Sequence, residues 1–315
     1  MSEGNNSSTN ESFPPIPYNV HFWSYLIVLI PSIICSSFTL YQLIFDRTLR
    51  SSLHNHIIII VLSVCLLCQL TIYPWTLNFY YLDGVWERPF VFCAIWAFLD
   101  WVLYVLQTLL FAWATIERHI LIFHDSWVVT KKKRVFFHYL PPVIIIMYCI
   151  IYHVIIDIFP PCENYYSNDN ILCVAFCIYD ATEYLIWDTV VHQSIPGLII
   201  IIFSIGLLVR VIRQKIRMRQ PVQWRKHRKM TVQLLAISSI YVIFYFPYVS
   251  AVPLFFYGGK QYYNTKYILS FVAYFMILFL SFSCAFTLPD FHKRLRNLIK
   301  CGRRSQTIAP IHQAK

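Results

Sequence analysis

The chain alternates between long apolar stretches and short polar segments. Seven stretches are almost free of charged residues, and each has at least about the 20 residues that an α-helix needs to cross a bilayer. They cover residues 21–45, 53–82, 89–116, 135–161, 189–209, 230–259 and 267–288, and their charged exceptions are Asp100 and Asp157. Runs such as 57–62 lack the apolar–polar alternation of membrane-barrel strands. The pattern predicts an all-α membrane protein, a bundle of seven transmembrane helices.

Composition supports the membrane assignment. Hydrophobic residues make up 58% of the 315 residues and charged residues 13%, whereas a soluble domain has about 25% charged residues. This composition excludes two ordinary soluble domains as well as a disordered chain. The net charge of +11 could indicate a protein that binds nucleic acid. The positions of the basic residues decide between that interpretation and a membrane protein.

The basic residues are concentrated on one side of the predicted bundle. If the N-terminus is extracellular, the segments facing the cytoplasm are 46–53, 117–134, 210–229 and 290–315, and they hold 23 of the 26 Lys and Arg residues. This is a strong positive-inside bias. It predicts a multi-pass protein of the plasma membrane with the lipid bilayer as a partner. The basic residues are dispersed over four segments, which argues against nucleic-acid binding.

The predicted outer side carries candidate modification sites. Three overlapping or adjacent sequons mark Asn5, Asn6 and Asn10 for glycosylation. Disulfides persist outside the cell, and the cysteines on that side are Cys93, Cys162, Cys173 and Cys177. On the opposite side, Cys301 follows a basic segment and is a candidate for palmitoylation. The ten cysteines show no zinc-type spacing with histidine, and we expect neither a metal nor a cofactor.

One combination of residues resembles a known family. Cys93 at the start of the third span is followed 25 residues later by Glu117-Arg118-His119 at its other end. With these residues the chain resembles the rhodopsin-like (class A) G-protein-coupled receptors over roughly residues 21–300. Further matches are Trp86 in the first outer loop, Pro196 in the fifth span, Phe246-Pro247 in the sixth, and residues 288–294, which look like the family's entry into a short cytoplasmic eighth helix.

The resemblance implies an architecture and a function. The chain divides into an extracellular tail (1–20), a seven-transmembrane receptor domain (21–290) and a cytoplasmic amphipathic helix with its tail (291–315). It implies a receptor rather than an enzyme, with an extracellular small-molecule or peptide ligand and a heterotrimeric G protein as partners. In this family Arg118 would pair with Glu117 at rest and be released on activation; His119 completes the motif. His227 stands where many members carry a second acid.

The chain also departs from the family pattern. Leu66 stands where the family has its sodium-binding Asp, and residues 280–284 keep none of the defining residues of Asn-Pro-x-x-Tyr. Tyr245 replaces the Trp before the helix-six proline, and Ile145 replaces the helix-four Trp. These departures predict a divergent member with no sodium regulation and a modified activation relay.

The resemblance also places a ligand site near the outer ends of the spans. Asp100 is an ionisable residue inside a span, which is costly and indicates a function. It stands where the family carries the Asp that pairs with amine ligands and some peptides, and Tyr274 stands where those receptors place a Tyr that hydrogen-bonds this Asp. An amine or a basic peptide is therefore the expected ligand. The full predicted set is Asp100, Tyr104, Asp188, His192, Tyr245, Tyr248 and Tyr274.

In the family the cysteine at Cys93 is bridged to the second outer loop. Cys173 and Cys177 lie 23 and 19 residues before Pro196, and both are compatible with this bridge. Cys162 could pair with whichever remains. Of the three we choose Cys173 as the partner of Cys93.

Four other functions remain as alternatives. A channel or transporter needs several polar residues along one path, whereas only Asp100 and Asp157 are charged within the spans. An intramembrane enzyme needs a catalytic pair or metal cluster at membrane depth, and His54 and His56, at the inner edge of the second span, have no matching carboxylates in the sequence. A light-sensing opsin needs a Lys in the seventh span, and residues 267–288 contain none. An orphan chemosensory receptor with another class of ligand is the fourth alternative.

Overall fold

The computed structural model describes residues 15–127, 129–168, 170–217, 232, 235–258 and 263–287. Seven helices in these ranges are long and apolar enough to cross a membrane. We number them α1 (Tyr18–Phe45), α2 (Asn55–Tyr81), α3 (Phe90–Phe123), α4 (Lys131–Ile158), α5 (Thr182–Arg210), α6 (Leu235–Val252) and α7 (Asn264–Phe286). The seven predicted spans are confirmed, and the largest differences, seven residues each, are at the start of α5 and at the ends of α3 and α6.

Smaller elements complete the secondary structure. Helix α2 consists of two parts, Leu53–Leu70 and Ile72–Tyr81, and the last regular part of α5 runs over Ile195–Arg217. A four-residue helix, Arg47–Arg50, leads into α2, and 3₁₀ turns cover Asp125–Trp127 and Cys177–Asp180. Strands β1 (Tyr165–Tyr166) and β2 (Val174–Ala175) form an antiparallel pair in the loop between α4 and α5.

Four turns of π-helix share one cause. They cover Val135–Tyr139, Val154–Ile158, Thr189–Ser194 and Tyr241–Tyr245, and each ends two residues before a proline: Pro141, Pro160, Pro196 or Pro247. Proline has no N–H to donate, and its ring collides with the carbonyl four residues earlier. The wider π turn accommodates that carbonyl and changes the direction in which the side chains of the turn point. His138, Asp157, His192 and Tyr245 lie in these four turns, so the prolines help to orient them.

Helix α3 is the central element of the bundle. It packs against α2, α4 and α5, while α1 packs against α2 and α7, and α6 packs against α7. Its buried face includes Trp96, Leu110 and Phe111, which are fully enclosed. Large apolar side chains such as Ile27 and Ile34 remain more than 60% exposed on the outside of the bundle. Apolar surface of this kind is compatible with a hydrocarbon solvent, in which helices associate through packing and polar contacts.

The two ends of the bundle differ in their chemistry. One end, here called the disulfide end, carries the β1–β2 loop and the bonds Cys93–Cys173 and Cys162–Cys177. The other, here called the Arg118 end, carries the Glu117-Arg118-His119 motif. Several predicted features lie outside the described residues: Asn5, Asn6, Asn10, His227, Cys301 and the eighth helix at 291–315.

Candidate functional site

Asp100 and Tyr274 join α3 to α7 close to the disulfide end. The Tyr274 hydroxyl donates to the Asp100 carboxylate, with its oxygen 3.0 and 3.2 Å from the two carboxylate oxygens. The Tyr274 backbone carbonyl in turn accepts from the Tyr73 hydroxyl of α2 at 2.5 Å. The contact expected between Tyr274 and Asp100 is therefore present, and it is part of a connection across three helices.

Aromatic rings surround this carboxylate. Tyr104 lies one turn below Asp100 on α3, and its ring meets that of Tyr245 on α6 edge-on, with centroids 5.3 Å apart. Tyr248 lies close enough to Asp100 for the charge of the carboxylate to act on its hydroxyl. The hydroxyls of Tyr104 and Tyr245 are buried and make no hydrogen bond to any residue that the structure describes. A partly exposed carboxylate among such rings can bind an organic cation through charge and cation–π contact.

Asp188 and His192 belong to a different polar cluster, between α4 and α5. Asp188 accepts from His192 Nδ1 at 2.7 Å, and His192 Nε2 lies 2.8 Å from the Tyr148 hydroxyl of α4. A second carboxyl–imidazole pair, His153–Asp157 at 2.9 Å, lies beside it on α4. The imidazole rings of His153 and His192 are 6.2 Å apart. All four of these side chains are almost fully buried.

Two of the predicted ligand residues are paired with each other. The sequence placed Asp188 and His192 with Asp100, and in the structure the His192 ring bonds Asp188 and Tyr148 of α4. The physical reason is the π turn before Pro196, which contains His192, together with the high cost of an unpaired charge at membrane depth. Tyr148, His153 and Asp157 were missed as partners. The i, i+4 spacing of both His–Asp pairs is the sequence signal that could have found them.

The loop between α4 and α5 is fixed to the rest of the disulfide end. The Cys93–Cys173 bond is the predicted one, and Cys162 pairs with Cys177. Arg88, before α3, adds a polar anchor. Its guanidinium donates to the carbonyls of Trp86, Asn168, Asn170 and Ile171 at 2.5–3.1 Å.

Aromatic packing encloses the Arg88 guanidinium. Its central carbon lies 5.1–5.5 Å from the centroids of the Phe79, Trp86 and Trp96 rings, within the range of cation–π attraction. Burial lowers the pKa of Arg88 from its ordinary value. The guanidinium remains protonated near neutral pH, because the unperturbed value is above about 12. This residue connects the loop that precedes α3 to the loop that covers the bundle.

At the Arg118 end, the partner of Glu117 differs from the expected one. Among the described residues, Glu117 forms its ion pair with His138 Nδ1 of α4 and none with Arg118. His138 Nε2 lies 3.0 Å from His56 Nδ1 of α2. Glu117 and Arg118 are both about 1% exposed. The π turn before Pro141 places His138 at this position, whereas the resemblance led us to expect Arg118 as the partner of Glu117.

His119, the third residue of the motif, faces α5. Its Nε2 lies 3.1 Å from the Phe203 carbonyl, and its ring meets the Phe203 ring edge-on. The motif residues thus face different neighbours: Glu117 contacts α4, and His119 contacts α5. Because α3 packs against both helices, rotation of α3 would change both sets of contacts.

Comparison with known proteins assigns the family. The sequence model described as "7 transmembrane receptor (rhodopsin family)" matches residues 21–287. The chain belongs to the rhodopsin family of seven-transmembrane receptors. The crystal structure of squid rhodopsin superimposes with a TM-score of 0.71 and 15% identity, covering 91% of this chain and 82% of that one. At this identity the likeness concerns the fold. No curated protein sequence is significantly similar to the receptor.

A polar network joins α1, α2 and α7 of the receptor at mid-depth. The Gln69 amide donates to the hydroxyls of Ser32 and Ser281, both at 2.9 Å, and its carbonyl oxygen accepts from Ser36 at 3.0 Å. Ser36 and Ser281 are 2.5 Å apart, and Cys65 donates to the Ile277 carbonyl. The network lies beside Leu66 and within residues 280–284, where the sequence departs from the family. It was missed because its members are distant in sequence.

Gln107 is a second buried amide on α3. It is fully enclosed, and neither its nitrogen nor its oxygen bonds a residue that the structure describes. The backbone carbonyl of Gln107 accepts a hydrogen bond from the Tyr241 hydroxyl of α6 at 3.4 Å. In the described ranges, no three His, Cys, Asp or Glu side chains are placed to hold a metal ion.

Proposed function

We propose that this receptor binds an extracellular organic cation, an amine or a basic peptide, and activates a heterotrimeric G protein. The observation that carries the proposal is the Asp100–Tyr274 contact. The Tyr274 hydroxyl orients a carboxylate that is partly exposed, surrounded by tyrosine rings and free of a basic partner in the described residues. A bound ammonium or guanidinium would supply the missing positive charge.

The proposed orientation has the disulfide end outside the cell, in the plasma membrane. Two disulfides at that end support it, because such bonds persist in an oxidising environment. The basic segments 46–53, 117–134 and 210–229 are at the opposite ends of the spans, as the positive-inside rule requires. The second loop, held by Arg88 and both disulfides, would then cover the entrance to the Asp100 site.

The proposed coupling surface is the Arg118 end. Arg118 is buried in the described arrangement, so a G protein can reach it only after the surrounding helices separate. Helix α6 contains a π turn followed by Pro247 in its middle, which provide a bend about which its end nearest Arg118 can swing. Arg118 would be exposed by such a motion, and the basic end of α5, residues 210–217, would border the opened cleft.

A ligand screen with a second-messenger readout tests the proposal. Wild type is compared with Asp100→Asn, with Arg118→Ala and with the matched control Asp157→Asn, which removes a buried carboxylate from α4. We expect Asp100→Asn to reduce the potency of the identified ligand at least about tenfold, since truncating a buried charge pair costs about 2 kcal/mol or more. Asp157→Asn should retain potency at equal surface expression, and Arg118→Ala should abolish the response.

Two outcomes would contradict parts of this proposal. Unchanged potency in Asp100→Asn would place the ligand elsewhere and favour a chemosensory receptor for another class of ligand. A ligand-evoked current in cells without G proteins would favour the channel alternative.

A further inference from the structure

The buried hydroxyls of Tyr104 and Tyr245 lie close together between α3 and α6. The two rings meet edge-on, with centroids 5.3 Å apart. Each hydroxyl is near enough to influence the other, yet neither has the geometry of a hydrogen bond with any residue that the structure describes. Tyr245 is 1% exposed. We call these two groups the hydroxyl pair.

Four neighbouring tyrosines have partners for their hydroxyls. Tyr25 donates to the Phe271 carbonyl at 3.1 Å, Tyr73 to the Tyr274 carbonyl at 2.5 Å, Tyr241 to the Gln107 carbonyl at 3.4 Å, and Tyr274 to Asp100 at 3.0 Å. Thr108, close to the hydroxyl pair, donates to the Tyr104 backbone carbonyl at 3.1 Å. A buried polar group without a partner destabilises a protein, so it needs an explanation. Binding of a ligand group would supply one.

The π turn of α6 sets the direction of the Tyr245 side chain. The turn covers Tyr241–Tyr245, directly before Phe246 and Pro247, and π turns of this kind are frequent at functional sites. Tyr245 stands where the family pattern has a tryptophan. A phenol hydroxyl can donate and accept a hydrogen bond, whereas an indole can only donate. The departure from the family pattern therefore gives this position a bonding capacity that tryptophan lacks.

Asp100 and Tyr104 lie on the same face of α3, four residues apart. Residues at this spacing are neighbours on a helix, and the rise between them is about 6 Å. Asp100, Tyr104, Tyr248 and Tyr274 are all partly exposed, although α3 is the central helix of the bundle. Small molecules can therefore reach this face of α3, and the carboxylate and the hydroxyl pair lie along one path.

We propose that the hydroxyl pair binds a hydrogen-bonding group of the ligand, about one helical turn deeper than the cation at Asp100. The inference deepens the proposed function and rests on it, because the cation fixes where the rest of the ligand lies. The ligand class is then an amine with a hydroxyl or carbonyl group at the end remote from its nitrogen. Tyr104 and Tyr245 determine specificity, because an amine without that group leaves both hydroxyls unpaired.

Three amines that differ by one hydroxyl test the inference. Phenethylamine has none, tyramine has one across the ring from its ammonium, and 2-amino-1-phenylethanol has one beside the ammonium. Their dissociation constants follow from the rise of the unfolding midpoint of the purified receptor with amine concentration. Wild type should bind tyramine about five- to tenfold more tightly than the other two amines, which corresponds to one net hydrogen bond.

Conservative variants remove one hydroxyl and keep the ring. Tyr104→Phe and Tyr245→Phe should each abolish most of the preference for tyramine and change phenethylamine binding by less than about twofold. Tyr241→Phe is the matched control, because its hydroxyl lies on the same helix and already bonds the Gln107 carbonyl. It should preserve the ratio of the constants. The ratio is compared because a change in folding stability affects all three amines equally.

Two results would overturn the inference. Equal weakening of tyramine and phenethylamine in both Tyr104→Phe and Tyr245→Phe would show that the two hydroxyls have a structural role only. A selective loss for 2-amino-1-phenylethanol would show that the hydroxyl pair lies beside the cation rather than one turn deeper.

Asp100→Asn separates failure of the inference from failure of the proposed function. All three amines should bind this variant at least about tenfold more weakly. If Asp100→Asn leaves the constants unchanged, or if no amine raises the midpoint of wild type, the proposed cation site fails, and the inference fails with it. If Asp100→Asn weakens all three amines while Tyr104→Phe and Tyr245→Phe keep the wild-type ratio, the cation site stands, and only the inference fails.

Discussion

The hydroxyl of Tyr274 on α7 donates to the carboxylate of Asp100 on α3, with oxygen–oxygen distances of 3.0 and 3.2 Å. This bond sets the direction of the carboxylate and connects two helices that are 174 residues apart in sequence. Because the Tyr274 carbonyl also accepts from Tyr73, the position of Tyr274 depends on α2 as well. A ligand that bound Asp100 would therefore act on three helices at once.

Tyr274→Phe should weaken the response to a cationic ligand less than Asp100→Asn does. The variant removes one hydrogen bond to the carboxylate but keeps the ring and the negative charge. A net loss of about 1 to 2 kcal/mol corresponds to a decrease in potency of about five- to thirtyfold. Concentration–response curves at equal surface expression measure this decrease. Tyr267→Phe, on the same helix, serves as the control, and a larger loss in that variant would contradict the assignment.

Asp188→Leu should destabilise the receptor while its paired replacement is better tolerated. The single change leaves the buried His192 Nδ1 without its hydrogen-bond partner, and a buried polar group left unsatisfied costs about 1 to 3 kcal/mol. The double variant Asp188→Leu with His192→Leu removes both polar groups, and it should recover part of that loss. Thermal unfolding of the purified variants measures both effects. A double variant less stable than the single one would show that the pair is needed for more than charge neutralisation.

Gln69→Leu should lower stability through the α1–α2–α7 network. The hydroxyls of Ser32, Ser36 and Ser281 would lose their bonds to the amide, although Ser32 keeps the Leu278 carbonyl and Ser36 keeps Ser281. Each hydrogen bond lost costs about 0.5 to 1.5 kcal/mol. Ser63→Ala on the same helix is the control, because Ser63 is exposed and bonds only to the Ile59 carbonyl of its own helix. Its stability should stay within about 0.5 kcal/mol of wild type.

Arg88→Met should loosen the loop that covers the disulfide end. Methionine keeps an apolar stem but cannot donate to the carbonyls of Asn168, Asn170 and Ile171. We expect faster amide hydrogen exchange in residues 170–177 with little change at the Arg118 end. Arg213→Met, at an exposed position far along α5, gives the comparison. Unchanged exchange in the loop would mean that the two disulfides hold it without Arg88.

Some parts of the site could be predicted from the sequence because the residues occupy fixed positions within motifs of single spans. Asp100 and Tyr274 were found through the positions that they share with the family, and the structure brings them together. The Cys93–Cys173 bond was chosen from three alternatives and is confirmed. Pro196 and Pro247 were matched to the family's helix-bending prolines, but the π turns before the prolines were not predicted, and these turns decide where His138 and His192 point.

The sequence by itself determined the seven spans and the placing of basic residues at one set of span ends. Both depend on properties of short segments: the length of an apolar run and the sign of the charges that follow it. Only the tertiary structure decided the partners: Glu117 with His138, Asp188 with His192, and Gln69 with three serines of α1 and α7. A buried polar group bonds whatever the neighbouring helix presents at its depth, and that depends on rotations and distances between segments that are remote in the chain.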